Sequence, residues 1–580
     1  MSQLQGNSVR LGRIRGTTRE LVMSAEDRQT HLWLPGNTGV GKSKMLESMI
    51  CQDIDAWGTG RHGLMLIDPH GSVYRNVVKY LAERRLNRPV VLVELSSDRW
   101  TVGYNPLKVR AGEDPSVIVR GLVEAMAFAF GERDTQATPR FAAIASAVLM
   151  ALLETGRPLL DAYHVASNRR AMAMLAERVT EGFAKAKLRE LAATNDREFP
   201  SLVESTLARL RPFSQSQRFK AIFGHTGHSL DFLDVLRSGA IVLVNLERGQ
   251  NRLSVEDVKL FGTLLLTDLW RAAQSMRKPD DGSKIHPFYL YVDEAQNFIT
   301  PTLAQNLTEA RGYGLNLIIA NQYPSQFKSA GDNGTALYDA LMAAARSKIV
   351  FQMNHADDRT ALAAELHAGE LDPMKVKRRT TSVVRYDREE SVSRTSGSSS
   401  QEGGTRTEQT GTSRGRSQRE QRDDDGREQP INASEQEIEN EANSTNWADG
   451  SSESTTRVEV LVPVMGEEVA EYMSLDEQRA TFEQAIACQD KQECLVRLVS
   501  MRAALGIRTL DVLPAWVSER RVEAYVEKVR KSLGYMIPLS DALEAAVHRE
   551  RNFDASLRSD HVTDEATTSR RKLNGANPKM

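Results

Sequence analysis

Ten residues, Leu34-Pro35-Gly36-Asn37-Thr38-Gly39-Val40-Gly41-Lys42-Ser43, constrain this chain more than any other stretch. They contain G-x-x-x-x-G-K-S, a pattern in which a strand turns sharply into a helix around an anion. Gly36, Gly39 and Gly41 free the backbone to turn tightly, so that successive N–H groups can point inward at phosphate oxygens. Lys42 places a compact cation there, and the Ser43 hydroxyl is suited to Mg²⁺. The positive end of the following helix adds to the field. The flanks agree with this reading. His31-Leu32-Trp33-Leu34 is a short apolar strand, and residues 44–57 place Met45, Met49 and Ile50 on one helical face.

A second signal lies far downstream. Phe288-Tyr289-Leu290-Tyr291-Val292 is an unbroken apolar run that ends in Asp293-Glu294. Paired acids at a strand end suit a phosphate-loop hydrolase: Asp293 would hold the metal shell and Glu294 would orient and deprotonate water. Gln322 ends the next apolar run, Leu315 to Ala320, where a neutral amide can sense the terminal phosphate; it is otherwise a loop glutamine. Arg311 precedes that run. It suits either an arginine finger acting on a neighbouring subunit's nucleotide or a favourable cation at a helix C-terminus. Arg346 and Arg140 are weaker alternatives for a finger. Asp68, closing the run Gly63 to Ile67, is either a carboxylate near the nucleotide or a helix cap.

Further apolar runs (Val90 to Val93, Ala240 to Leu246, Ile349 to Phe351) alternate with helical patterns. This predicts an α/β fold with a parallel sheet and right-handed crossovers. Six segments follow: 1–110, the first part of the nucleotide domain; 111–228, an all-α insertion; 229–384, the second part; 385–456, a long polar segment too poor in large apolar residues to order itself; 457–513, a return to the nucleotide domain; and 514–580, a helical tail with a polar end.

Bulk composition narrows the remaining classes. The 580 residues carry 75 Lys+Arg against 77 Asp+Glu, a formal net charge of -2, so a surface for polyanions must be local. Lys375-Val376-Lys377-Arg378-Arg379 is one such cluster, either a phosphate contact or a solvated charge run. Neither zinc spacing nor a helix-turn-helix signature is present, so no sequence-specific readout is expected. Cys51, Cys488 and Cys494 form no framework, which predicts a reducing, cytoplasmic setting. The run from Phe141 to Leu153 is too short to span a bilayer.

Taken in order, G-N-T-G-V-G-K-S, L-I-D-P-H-G, Y-V-D-E-A-Q-N-F and E-A-R-G-Y-G-L-N-L-I-I-A-N-Q resemble the HerA/FtsK superfamily of P-loop ATPases. Within it the chain is most similar to the soluble part of type IV secretion coupling proteins, the TraD/TraG group. The likeness covers roughly residues 30–370. It implies a RecA-like sheet and a homo-hexameric ring that binds ATP and Mg²⁺ and moves DNA through a central pore. Residues 36–43 would bind nucleotide, Ser43 and Asp293 the metal, and Lys42, Glu294, Gln322 and Arg311 would act in catalysis. The chain departs from membrane-anchored coupling proteins in showing no N-terminal spanning helices, and from HerA in leaving no room for an N-terminal barrel. The reading of function is a DNA-translocating ATPase in a mobile-element or conjugation-like setting, with possible secretion-protein partners. The alternative is an ATP-switched assembly or defence component that recruits protein partners.

Overall fold

The computed structural model describes residues 7–397, 420–422, 428–430, 452–553 and 555, apart from 61, 85, 87, 132–137, 225–228, 250–252, 277–284, 301–306 and 329–331. Two compact units emerge, one formed by residues 1–372 with 474–580 and the other by 373–473.

The first unit is built on an eleven-stranded sheet. Its strands are β1 (Val9–Ile14), β2 (Glu20–Met23), β3 (Leu32–Pro35), β4 (Gly63–Asp68), β5 (Val90–Glu94), β6 (Ile241–Asn245), β7 (Phe288–Val292), β8 (Leu315–Asn321), β9 (Ser347–Phe351), β10 (Glu493–Arg497) and β11 (Leu505–Thr509). In space they run β2-β1-β11-β10-β9-β3-β8-β7-β4-β6-β5. From β9 to β5 every neighbouring pair is parallel. The side from β9 out to β2 is antiparallel. Strands β3, β4, β6, β7, β8 and β9 are buried along their whole lengths, as expected of a parallel sheet covered on both faces.

This order determines where the site falls. Strand β8 lies between β3, which runs into the glycine-rich loop, and β7, which runs into the acid pair. Because the three are parallel, their C-terminal ends share one sheet edge, where ligands of open α/β sheets bind. A buried ion pair holds the arrangement from beneath. Arg28 donates to both oxygens of Asp53 at 2.6 and 2.7 Å, and the Tyr291 hydroxyl donates to Asp53 Oδ2 at 2.5 Å. Asp53 lies on the helix Lys42–Gly60, so the pair fastens that helix to β7.

Between the short strand Trp100–Val102 and β6 the chain is helical, as the apolar spacing predicts. Seven α-helices occupy the described part of 111–228, the longest being Pro115–Ala129, Pro139–Glu154 and Phe199–Gln215. Their starts are written locally: Asp114 caps the first ahead of Pro115, and Asn168, Glu181 and Ser216 accept backbone N–H bonds at later ones. Tyr104 bonds Leu264 O through its hydroxyl and packs against Phe223, Phe232 and Phe261. This joins the insertion to the helix Val255–Gln274.

The chain re-enters the first unit at the helix Leu475–Ala487 and adds β10 and β11 beside β9. The tail is not wholly helical. After the helix Glu519–Ser532, Met536–Pro538 pairs antiparallel with Trp100–Val102, and a helix follows over 539–553. Three residues are too few for a period to be read, so helical spacing on either side hides this strand.

The second unit is an antiparallel ribbon of Val376–Gly397 with Ser452–Tyr472. It reaches into both ends of the polar segment 385–456; most of the rest of that segment lies outside the described residues. Residues 457–472, expected with the nucleotide domain, belong to this ribbon. Among the described residues no helix is long and apolar enough to cross a membrane.

Candidate functional site

The glycine-rich loop is clamped by backbone on two sides. Gly36 N–H donates to Asn321 O at the end of β8 (3.2 Å), and Asn37 N–H to Gln352 O just past β9 (2.9 Å). A Cβ on Gly36 would come within 2.5 Å of the Phe351 Cβ, so only glycine fits there. Gly39 and Gly41 have φ of +82° and +124°. A third clamp comes from the returning chain. Gln492, itself at φ +70°, donates its N–H to Val40 O (2.8 Å) and accepts Thr509 N–H at 2.8 Å. The loop is thereby tied to the β10–β11 pair, to β9 and to β8.

Within this frame the charged groups converge. Lys42 is buried, with Nζ on Gly36 O at 2.6 Å and Asn37 O at 2.8 Å. Its pKa is lowered, because burial outweighs the opposing pull of Glu294 and Asp293. Ser43 Oγ donates to Asp293 Oδ2 at 3.1 Å, which bridges loop helix and acid strand. Burial pushes the Asp293 carboxyl up to about 6, reinforced by the charges of Glu294 and Asp68; the Ser43 hydrogen bond and Lys42 act against this. Two buried acids in sequence beside a third place negative charge where a divalent cation would stabilise it.

Glu294 adopts φ +49°, a left-handed conformation rare for a residue with a side chain. Both of its oxygens are held: Gln322 Nε2 donates to Oε1 at 3.1 Å and Gln296 Nε2 to Oε2 at 2.7 Å. Gln322 thus reaches the acid directly from the end of β8. Gln296, two residues beyond the acid, was not singled out by the sequence; its role follows from the turn that Glu294 makes. Asp68 Oδ1 accepts His70 N–H and Oδ2 accepts Tyr74 N–H, both at 2.9 Å. It therefore caps the helix Ser72–Arg84 while adding its charge to the cluster.

Arg311 lies elsewhere. It is exposed and occupies the turn before β8, at the sheet edge opposite the loop. Arg346 and Arg140 are also exposed, the first just before β9 and the second in the first turn of the helix Pro139–Glu154.

The residues present fit a nucleotide triphosphate with a divalent cation. Gly36, Gly39 and Gly41, all at positive φ, give the loop a turn that leaves the space beside Gly39 open. Lys42 and the helix start supply positive charge, while Ser43 and Asp293 supply hard oxygen ligands.

A phosphate loop and a strand-end acid pair, flanking one strand of a parallel sheet, define a P-loop ATPase with a RecA-like sheet. The chain belongs to the type IV secretion-system coupling protein DNA-binding domain family, whose profile matches residues 17–402. Comparison with curated protein sequences finds no match. Among solved structures it is similar to the bacterial conjugative coupling protein TrwBdeltaN70, at 13% identity over 88% of this chain and 90% of that one, TM-score 0.47. TrwB in complex with a non-hydrolysable ATP analogue is similar to the same degree: 13% identity, 88% and 94% covered, TM-score 0.48. VirB4 of Thermoanaerobacter pseudethanolicus covers 62% of this chain and 87% of its own at 16% identity, TM-score 0.41.

Proposed function

We propose that this chain is an ATP-hydrolysing ring motor that moves DNA without reading its sequence. The observation that carries the reading is the pair of hydrogen bonds that hold Glu294, with Gln322 of the intervening strand on one oxygen. That arrangement fixes a carboxylate where a water would be oriented and ties its direction to the end of β8.

Bound ATP with Mg²⁺ supplies the phosphoanhydride whose hydrolysis drives the motor. Loop N–H groups and Lys42 bind the phosphates, and Ser43 and Asp293 hold the cation. Glu294 takes the proton of the attacking water. Gln322 gives β8 a direct mechanical connection to that carboxylate, so a shift of the strand end re-aims it. Arg311 acts on the site of a neighbouring copy. The family is defined by a DNA-binding domain, which supports DNA as what the motor moves.

The test is steady-state ATP hydrolysis at fixed salt, with and without single- and double-stranded DNA, with Glu294→Gln as the blank. Stimulation by DNA that is lost in the blank is the expected result. Hydrolysis indifferent to both DNA forms would overturn the DNA motor and favour a ring that recruits protein.

A further inference from the structure

The ribbon is a two-stranded sheet with no third strand among the described residues. Isolated two-stranded ribbons are marginal in water, and both outer edges present backbone groups able to pair with another strand. Among the described residues neither face is covered by its own unit. Tyr386 and Leu461, on one face by register, are 61% and 59% exposed; Val458 and Val460, on the other, are 51% and 45% exposed.

The two arms carry opposite charge. Val376–Gly397 has six Lys/Arg against three Asp/Glu, whereas Ser452–Tyr472 has one Arg against five Glu. Segregation is complete near the ribbon's start. There Lys377, Arg378, Arg379 and Arg385 stand on one arm, and Glu467, Glu468 and Glu471 on the other. Within the ribbon this pairing is already used: Arg378 lies opposite Glu471, and Lys377 Nζ is 3.9 Å from Glu471 Oε1. Over this part of the ribbon one edge is therefore basic (377–385) and the other acidic (467–471).

We infer that the ribbon pairs edge to edge with the ribbon of a second copy of this chain, basic arm against acidic arm. Like arms meeting across a two-fold axis that passes through 377–385, or through 467–471, would set the same charges opposite one another, which is unfavourable. The contact is therefore heterologous, each copy using both edges, and such a contact closes into a ring or runs on as a filament. A polyanion is a poorer occupant, because the two arms together bear one more acid than base. The inference stands independently of the nucleotide site.

The test uses the full chain and two tagged versions of different mass. One is wild type. The other exchanges the charges of both arms (Lys377→Glu, Arg378→Glu and Arg379→Glu with Glu467→Arg, Glu468→Arg and Glu471→Arg), which keeps the pairing inside each ribbon. By native mass spectrometry each is expected to assemble with itself, and subunits of the two to segregate when mixed. Statistical mixing, or a wild type that stays monomeric, overturns the inference. A second measurement is disulfide capture in a Cys488→Ser background. Copies carrying only Thr380→Cys, mixed with copies carrying only Val469→Cys or Tyr472→Cys, are expected to give cross-linked dimers on oxidation. Absence of any cross-link, or an exchanged variant that assembles normally with wild type but loses DNA affinity, shows that the arms do not meet.

Discussion

Asp293 is the residue whose environment makes the sharpest demand. Its carboxyl ordinarily titrates near 3.8 and is held at about 6 by burial and by Glu294 and Asp68. The sign follows from proton binding. Between those two values the folded chain binds more protons at this group than the unfolded chain, so stability contributed there falls as pH rises. Below about pH 4 the cost is absent, and above pH 6 it is fully present. A rise from 3.8 to about 6 corresponds to roughly 3 kcal/mol. In metal-free protein, Asp293→Asn should raise the melting temperature at pH 7.5 and change it little at pH 4, while hydrolysis is lost. Equal melting shifts at both pH values would show that the carboxyl is not strained. Its neighbour separates binding from turnover: Glu294→Gln should bind ATP with affinity near that of wild type and cleave none in single turnover. Lys42→Ala should fail at binding itself, which titration calorimetry distinguishes.

Among the elements, the clamp from Gln492 has a prediction of its own. The residue contributes only backbone to the loop, through its N–H to Val40 O, and needs φ +70° to do so. Gln492→Pro removes the donor and cannot take that φ, so nucleotide affinity should fall by about tenfold or more, on the scale of a lost hydrogen bond plus backbone strain. Gln492→Gly keeps the N–H and suits the φ, so binding should be nearly unchanged; a large loss in the glycine variant would show that the side chain matters instead. This clamp was illegible in the sequence, and the reason is physical. Motifs report side chains, whereas Gln492, Gln352 and Asn321 secure the loop through backbone groups brought in from distant strands. What was legible was whatever repeats or ends locally. The buried runs β3, β4, β6, β7 and β8 stand at the expected positions, and Lys42, Ser43, Asp293, Glu294 and Gln322 meet at one edge because each closes or follows such a run. The charge-segregated ribbon escaped notice because its arms lie far apart in sequence and one carries few apolar residues.

At the scale of the whole molecule, Arg311 decides whether one copy is a complete enzyme. It stands before β8, and the loop stands beyond the far end of that strand. Seven residues of strand span roughly 20 Å, more than an arginine side chain can cross. If Arg311 stabilises charge during hydrolysis, it does so in another copy, and a single chain has a loop without a finger. Arg311→Ala should then lose turnover yet keep nucleotide affinity, since its own loop is intact. Lys42→Ala should lose both yet still present Arg311. Neither variant is active alone, but in a mixture some interfaces join a sound loop to a sound finger. For random assembly at equal amounts, roughly a quarter of the interfaces in a closed ring are of this kind. Hydrolysis measured across mixing ratios should rise from near zero at either end to a maximum near equal proportions. A flat, inactive profile in assemblies shown to contain both variants would remove Arg311 from the site. Attention would then move to Arg346 and Arg140, exposed elsewhere on the unit.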